Sequence, residues 1–136
     1  MSFFERSLKS PGELMSHKIL IVDDEKKIRD LVCFRLEFKG YDVSSAGDGT
    51  EALEKVKEFE PDLMVLDIMM PDMSGYEVCK RVKGDSATQQ TKVILLSAKG
   101  RKQDEEEGLR AGADAYMTKP FRANKLIEKI EELLNG

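Results

Sequence analysis

A chain of 136 residues with 40% hydrophobic and 35% charged side chains is long enough for one buried core and too short for two, so a single soluble domain is expected. Its net charge of −4 comes with no long basic run, which excludes the electrostatic footprint of a nucleic-acid binder. No apolar stretch approaches the roughly 20 residues that span a bilayer, and no signal-peptide core is present, so a cytoplasmic protein without a membrane partner is expected.

Residues 1–16 carry no strand pattern and contain the breaker Pro11-Gly12. They stand outside the pattern that follows, as a leader or a natural extension, and Met15 could itself begin a complete domain. Phe3, Phe4, Leu8 and Leu14 give this segment enough apolar surface to dock as a short helix on its own domain or on a neighbouring chain.

From His17 to Gly136 strand and helix signals alternate, which marks out the main domain, 17–136. The first strand is the run Lys18-Ile19-Leu20-Ile21-Val22, which ends in Asp23-Asp24. Ile28, Leu31, Val32 and Leu36 then recur at helical spacing, with Gly40 as the stop. Tyr41–Ala46 reads as a short edge strand. Ala52, Leu53, Val56 and Phe59 mark a second helix that must end before Pro61.

The third strand, 62–67, ends in Asp67, and Tyr76, Val78, Cys79 and Val82 form a helix after Ser74-Gly75. The fourth, 92–97, ends in Ser97 and leads to a weaker helix at about 102–111. The fifth, 114–118, is followed by Lys119 and Pro120. Leu126, Ile127, Ile130, Leu133 and Leu134 make the last helix strongly amphipathic. The result is an α/β fold of five βα units. Strands 1, 3 and 4 are continuously apolar, as expected of a parallel sheet with helices on both faces.

Two features lead nowhere. Cys33 and Cys79 lie far apart with no Cys or His at metal-ligand spacing, so they read as packed thiols. His17 is the only histidine, which leaves a zinc site or a nucleophile–histidine pair little to build on.

The chemistry collects where an open α/β sheet binds its ligands, beyond the carboxyl ends of the strands. With strand order 2-1-3-4-5, strand 1 lies beside strand 3 and Asp23, Asp24 and Asp67 converge. At about 4 Å and an effective dielectric near 20, each pair of unit charges costs roughly 4 kcal/mol. Such a cluster invites a hard cation, and Mg2+ suits it because it prefers oxygen ligands and pairs a few carboxylates with a phosphoryl oxygen. Asp23 and Asp24 could instead merely cap the helix that begins near Glu25, but capping leaves Asp67, Ser97 and Lys119 at the other strand ends unexplained. A carboxylate beside a metal can attack phosphorus and form an aspartyl phosphate, and Asp67 is the candidate. Lys119 would neutralise charge on the transferred group, and the Ser97 hydroxyl would donate to one of its oxygens.

The chain resembles the receiver domain of two-component response regulators, which has the flavodoxin-like fold of the chemotaxis response regulator. The likeness covers about residues 17–135. It rests on Ile-Val-Asp23-Asp24-Glu, on Asp62-Leu-Met-Val-Leu-Asp67-Ile-Met-Met-Pro71-Asp-Met-Ser-Gly75, on Leu-Leu-Ser97-Ala98, and on Gly112-Ala-Asp-Ala-Tyr116-Met-Thr-Lys119-Pro120-Phe121.

The resemblance implies that Asp67 accepts a phosphoryl group from a sensor histidine kinase or phosphotransfer protein. It further implies that Asp23, Asp24, Asp67 and the Met69 backbone carbonyl surround Mg2+, and that a cis Lys119–Pro120 bond aims the amine at the site. Ser97, where Thr is more frequent, and Tyr116 would be the switch pair, reporting to the surface of helix 4, strand 5 and helix 5. That surface would control an output partner or a phosphorylation-dependent homodimer. Met69 and Lys99 would influence phosphoryl lifetime, and a thioether at 69, poor at orienting water, points to slow self-dephosphorylation. The chain is then a phosphoacceptor signalling domain rather than a conventional enzyme.

Three other readings compete. A haloacid-dehalogenase phosphatase resembles D-x-D where this chain has Asp67-Ile68-Met69, and the length leaves no room for its cap domain. A flavin carrier needs a Ser/Thr/Gly-rich loop where Asp23-Asp24-Glu25 stands. A phosphorylation-independent interaction domain has no use for the intact site.

Overall fold

The computed structural model describes residues 16–136. The expectations for the segment before Ser16 lie outside the described residues. Strands β1 (Lys18–Val22), β2 (Asp42–Ala46), β3 (Leu63–Asp67), β4 (Lys92–Ser97) and β5 (Ala115–Thr118) alternate with helices α1 (Lys26–Phe38), α2 (Gly49–Phe59), α3 (Gly75–Gly84), α4 (Lys102–Arg110) and α5 (Ala123–Asn135). All strand pairings are parallel, in the order 2-1-3-4-5, with β2 at one edge and β5 at the other. The α/β architecture is the one the alternating strand and helix signals predict, and the strand order is the one the resemblance implies.

Because strand side chains alternate between faces, each central strand feeds two cores. Leu20, Val22, Met64, Leu66, Val93 and Leu95 pack on one face with Ala52 and Val56 of α2 and Val78, Cys79 and Val82 of α3. Ile19, Ile21, Leu63, Val65, Ile94 and Leu96 pack on the other with Val32 and Leu36 of α1 and Leu126, Ile127 and Ile130 of α5. Burial on both faces is why these runs contain no polar alternation.

One local expectation is corrected, and one expected helix end takes an unusual form. Leu31, assigned to the buried stripe of α1, is 56% exposed; Val32 and Leu36 alone are fully buried there, because the inward arc is narrower than the sequence period suggests. Helix α2 does end ahead of Pro61, but through Glu60 in a left-handed conformation (φ 53°), a place usually held by glycine. Its N–H still bonds the Val56 carbonyl at 3.2 Å. Both thiols pack as expected. Cys79 is buried with its Sγ 3.4 Å from the Ala111 carbonyl, Cys33 is half-buried, and burial pushes each thiol up to about 11.

Candidate functional site

Strand register assembles the site. Val22 is level with Leu66, so the next residues, Asp23 and Asp67, emerge side by side at the carboxyl edge. Asp67 is level with Leu96, and Ser97 with Thr118, which sets Ser97 and then Lys119 each one residue further along. The carboxylates of Asp23, Asp24 and Asp67 offer oxygens that all lie within 4.8 Å of one another. Asp23 and Asp67 are buried, at 1% and 4% exposure, while Asp24 is open to solvent.

The two buried acids are held by their surroundings. Asp23 Oδ1 accepts from the Glu25 N–H at 2.9 Å, its carbonyl accepts from Arg29 Nη1 at 2.7 Å, and its Oδ2 accepts from Lys119 Nζ at 2.8 Å. Asp67 Oδ1 accepts from the Met69 N–H at 3.3 Å, and its Oδ2 lies 3.4 Å from Lys119 Nζ. Lys119 thus bridges the two buried acids, with Glu25 Oε1 at 3.8 Å. The Lys119–Pro120 peptide is cis.

Burial raises the Asp67 carboxyl above its ordinary value; the Lys119 ammonium opposes this, while the neighbouring Asp23 charge adds to it. Burial works against the Lys119 ammonium too, but the hydrogen bond to Asp23 and the charge of Asp67 outweigh it and hold the amine above its usual value. An all-oxygen donor set with one solvent-facing member fits a hard divalent cation that keeps part of its water shell. Arg29 and Glu25 are participants that the strand-end pattern does not reveal. They lie on or just before α1, and only the fold of that helix over Asp23 brings them in.

Ser97 is buried, and its hydroxyl accepts from the Lys99 N–H at 3.2 Å. Met69 is 63% exposed. Tyr116 belongs to a different neighbourhood. It packs on the core beneath α4, close to Gly108, where Tyr76 also lies. Tyr76 donates to the Asp104 carbonyl at 3.1 Å, whereas the Tyr116 hydroxyl is buried with no hydrogen-bond partner among the described residues.

A family model described as the response regulator receiver domain matches residues 19–131. The chain belongs to this family. As a receiver domain of two-component systems it is a signalling module. It is 43% identical over 120 residues to the alkaline phosphatase synthesis transcriptional regulatory protein PhoP of Bacillus subtilis, a match covering 88% of this chain and 49% of that protein. It is 41% identical over 117 residues to the DNA-binding dual master transcriptional regulator RpaA of Synechocystis, covering 86% and 48% respectively. The receiver domain therefore spans about half the length of the curated relatives it matches. Among solved structures, a CheY-like response regulator receiver domain protein from Methanospirillum hungatei is similar with a TM-score of 0.83, at 36% identity over 88% of this chain and 94% of that one. No helix of the described residues is long and apolar enough to cross a membrane.

Proposed function

We propose that this receiver domain, residues 17–136 with residues 1–16 as an appended segment, accepts a phosphoryl group on Asp67 from a phosphohistidine of a sensor kinase or phosphotransfer protein. The observation that carries the reading is the convergence of Asp23, Asp24 and Asp67 within 4.8 Å, with Lys119 2.8 Å from Asp23 and 3.4 Å from Asp67. A carboxylate oxygen of Asp67 attacks phosphorus in line with the departing imidazole nitrogen. The P–N bond breaks as the O–P bond forms, and the histidine keeps the electron pair.

Asp23, Asp24, Asp67 and the Met69 backbone carbonyl would hold Mg2+. When bound, that ion supplies positive charge to the phosphoryl oxygens. The protein side chains do the rest. Asp23, fixed by the Glu25 N–H and Arg29, keeps Lys119 poised over Asp67. Lys119 neutralises charge on the incoming group, and Ser97 donates its hydroxyl to one of the oxygens. Phosphoryl transfer depends on positioning and electrostatics more than on covalent machinery, so this set suffices. An apolar cleft of about 450 Å³, lined by Ile28, Leu31, Val32, Pro120 and Phe121 beside Lys119, offers the phosphodonor a docking surface next to the acceptor.

Phosphorylation adds about −1.5 to −2 of charge and three acceptor oxygens. Ser97 moving toward one of them would vacate space into which Tyr116 turns, and the surface of α4, β5 and α5 would change for a partner or a second copy. The Asp24→Ala variant tests the metal half of this reading. Mg2+ affinity and the rate of phosphorylation by a small phosphodonor fall together if Asp24 is a ligand. Unchanged affinity with a loss of about 1 kcal/mol in stability would mean that the residue only supports the start of α1.

A further inference from the structure

Asp72, in the loop joining β3 to α3, accepts more hydrogen bonds than either buried acid of the site. Its Oδ1 accepts from the Gly49 N–H at 2.8 Å and from the Met73 N–H at 2.9 Å. Its Oδ2 accepts from the Thr50 N–H at 2.8 Å and from the Thr50 hydroxyl at 2.7 Å. Gly49 and Thr50 are the first residues of α2, so Asp72 satisfies two backbone donors that the helix itself leaves unpaired. A third, at Glu51, is already taken by Asp48 at 2.8 Å. The fit is reinforced by packing. A β-carbon on Gly49 would lie 2.3 Å from Met73 Cγ, so the absence of a side chain there lets the loop close down on the helix.

The same loop begins at the acceptor. Its first residue, Ile68, donates to the Leu96 carbonyl at 2.9 Å, and Met69 donates to Asp67 Oδ1 at 3.3 Å. The Gly75 N–H returns to the Ile68 carbonyl at 2.9 Å. The sheet and α3 thus fix the two ends of the loop, and Asp72 ties its middle to the first residues of α2, the helix that packs beside α3 on the same face of the sheet. A simple helix cap needs only its own helix, whereas this carboxylate joins the start of α2 to the loop that leaves the acceptor strand.

We propose that Asp72 is a positioning residue for the aspartate site. Its carboxylate clamps the β3–α3 loop onto the start of α2 and so holds the Met69 backbone in register with Asp67. The proposal rests on the phosphoacceptor reading of Asp67.

Asp48 supplies the control, because its side chain caps the same helix through the Glu51 N–H and not through the loop. The experiment compares wild type, Asp72→Ala, Asp72→Asn and Asp48→Ala in the full chain. Amide hydrogen exchange is followed in metal-free buffer, and Mg2+ affinity is measured by calorimetric titration. Asp72→Ala is expected to speed exchange at Met69 and Gly75 and to weaken Mg2+ binding about tenfold, the scale of losing a partner that orients a ligand. Asp72→Asn, which keeps one acceptor oxygen, should fall between it and wild type. Asp48→Ala should lower the melting temperature while leaving loop exchange and Mg2+ affinity at wild-type values. If Asp72→Ala and Asp48→Ala match in loop exchange, Asp72 is only a cap and the proposal is overturned. Should wild type take up no phosphoryl group at all, the parent reading fails, and the metal-free exchange comparison still decides the clamp by itself.

Discussion

Gly75 lies so close to Asp67 that a β-carbon added to it would stand 2.5 Å from the Asp67 carbonyl oxygen, well inside van der Waals contact. The loop leaving the acceptor strand turns back over its own last residue, and only a residue without a side chain permits that approach. Gly75→Ala is therefore expected to destabilise the protein by about 1–3 kcal/mol, the usual cost of overpacking. It should also slow phosphorylation, since the backbone must shift at the acceptor. Denaturant unfolding and a phosphorylation time course check both effects. Wild-type stability in the variant would show that the loop has slack.

Burial raises the Asp67 carboxyl above its ordinary value of 3.8, against the opposing pull of Lys119. The folded protein thus binds this proton more tightly than the unfolded chain does. Ionised Asp67 then lowers stability above its folded-state pKa, and the penalty vanishes as pH falls below the unfolded value. In metal-free buffer Asp67→Asn should melt above wild type at pH 7, with the gap closing as the pH is taken below 3.8. A variant that melts lower at pH 7 would contradict this balance.

Removing the Lys119 amine leaves Asp23, 1% exposed, as a buried charge without its cation. Lys119→Met is expected to cost about 3–5 kcal/mol without metal, as when one partner of a buried pair is deleted. Millimolar Mg2+ should restore much of that loss while phosphorylation stays slow. Thermal melts with and without Mg2+ separate the two roles of the residue. A variant as stable as wild type without metal would show that the ion pair is not structural.

The Tyr116 hydroxyl is buried with no partner among the described residues, which costs stability in the resting state. Tyr116→Phe should therefore be as stable as wild type or up to about 1–3 kcal/mol more stable. Tyr116→Ala should still accept phosphoryl but lose most of the phosphorylation-dependent gain in partner binding or self-association, a coupling that is typically 1–3 kcal/mol. Analytical ultracentrifugation of the phosphorylated forms reads self-association directly. Unchanged coupling in Tyr116→Ala would place the switch elsewhere.

The strand-end chemistry was legible because β1, β3 and β4 are unbroken apolar runs, so the first polar residue after each run marks the carboxyl edge of the sheet. Asp23, Asp67 and Ser97 are each found that way. The hold of Asp72 on α2 was not legible. It joins residues 22 and 23 positions apart in the chain through a loop whose path no periodicity encodes. The exposure of Leu31 was hidden for a related reason, since helical spacing gives the direction of the buried face but not its width. Glu60 adopts a backbone conformation ordinarily signalled by glycine, so nothing in its residue type announces it. The unpartnered state of the Tyr116 hydroxyl depends on how α4 packs, and that helix has a single fully buried residue, Gly108.

The most direct test of the account is the intact mass of wild type and Asp67→Ala after incubation with a small phosphodonor and Mg2+. Wild type should gain one phosphoryl group per chain, and should lose that gain when Mg2+ is chelated beforehand. Asp67→Ala should gain none. Equal incorporation by the variant, or incorporation by wild type that ignores Mg2+, would contradict the assignment of Asp67 as the acceptor in a metal-assisted site.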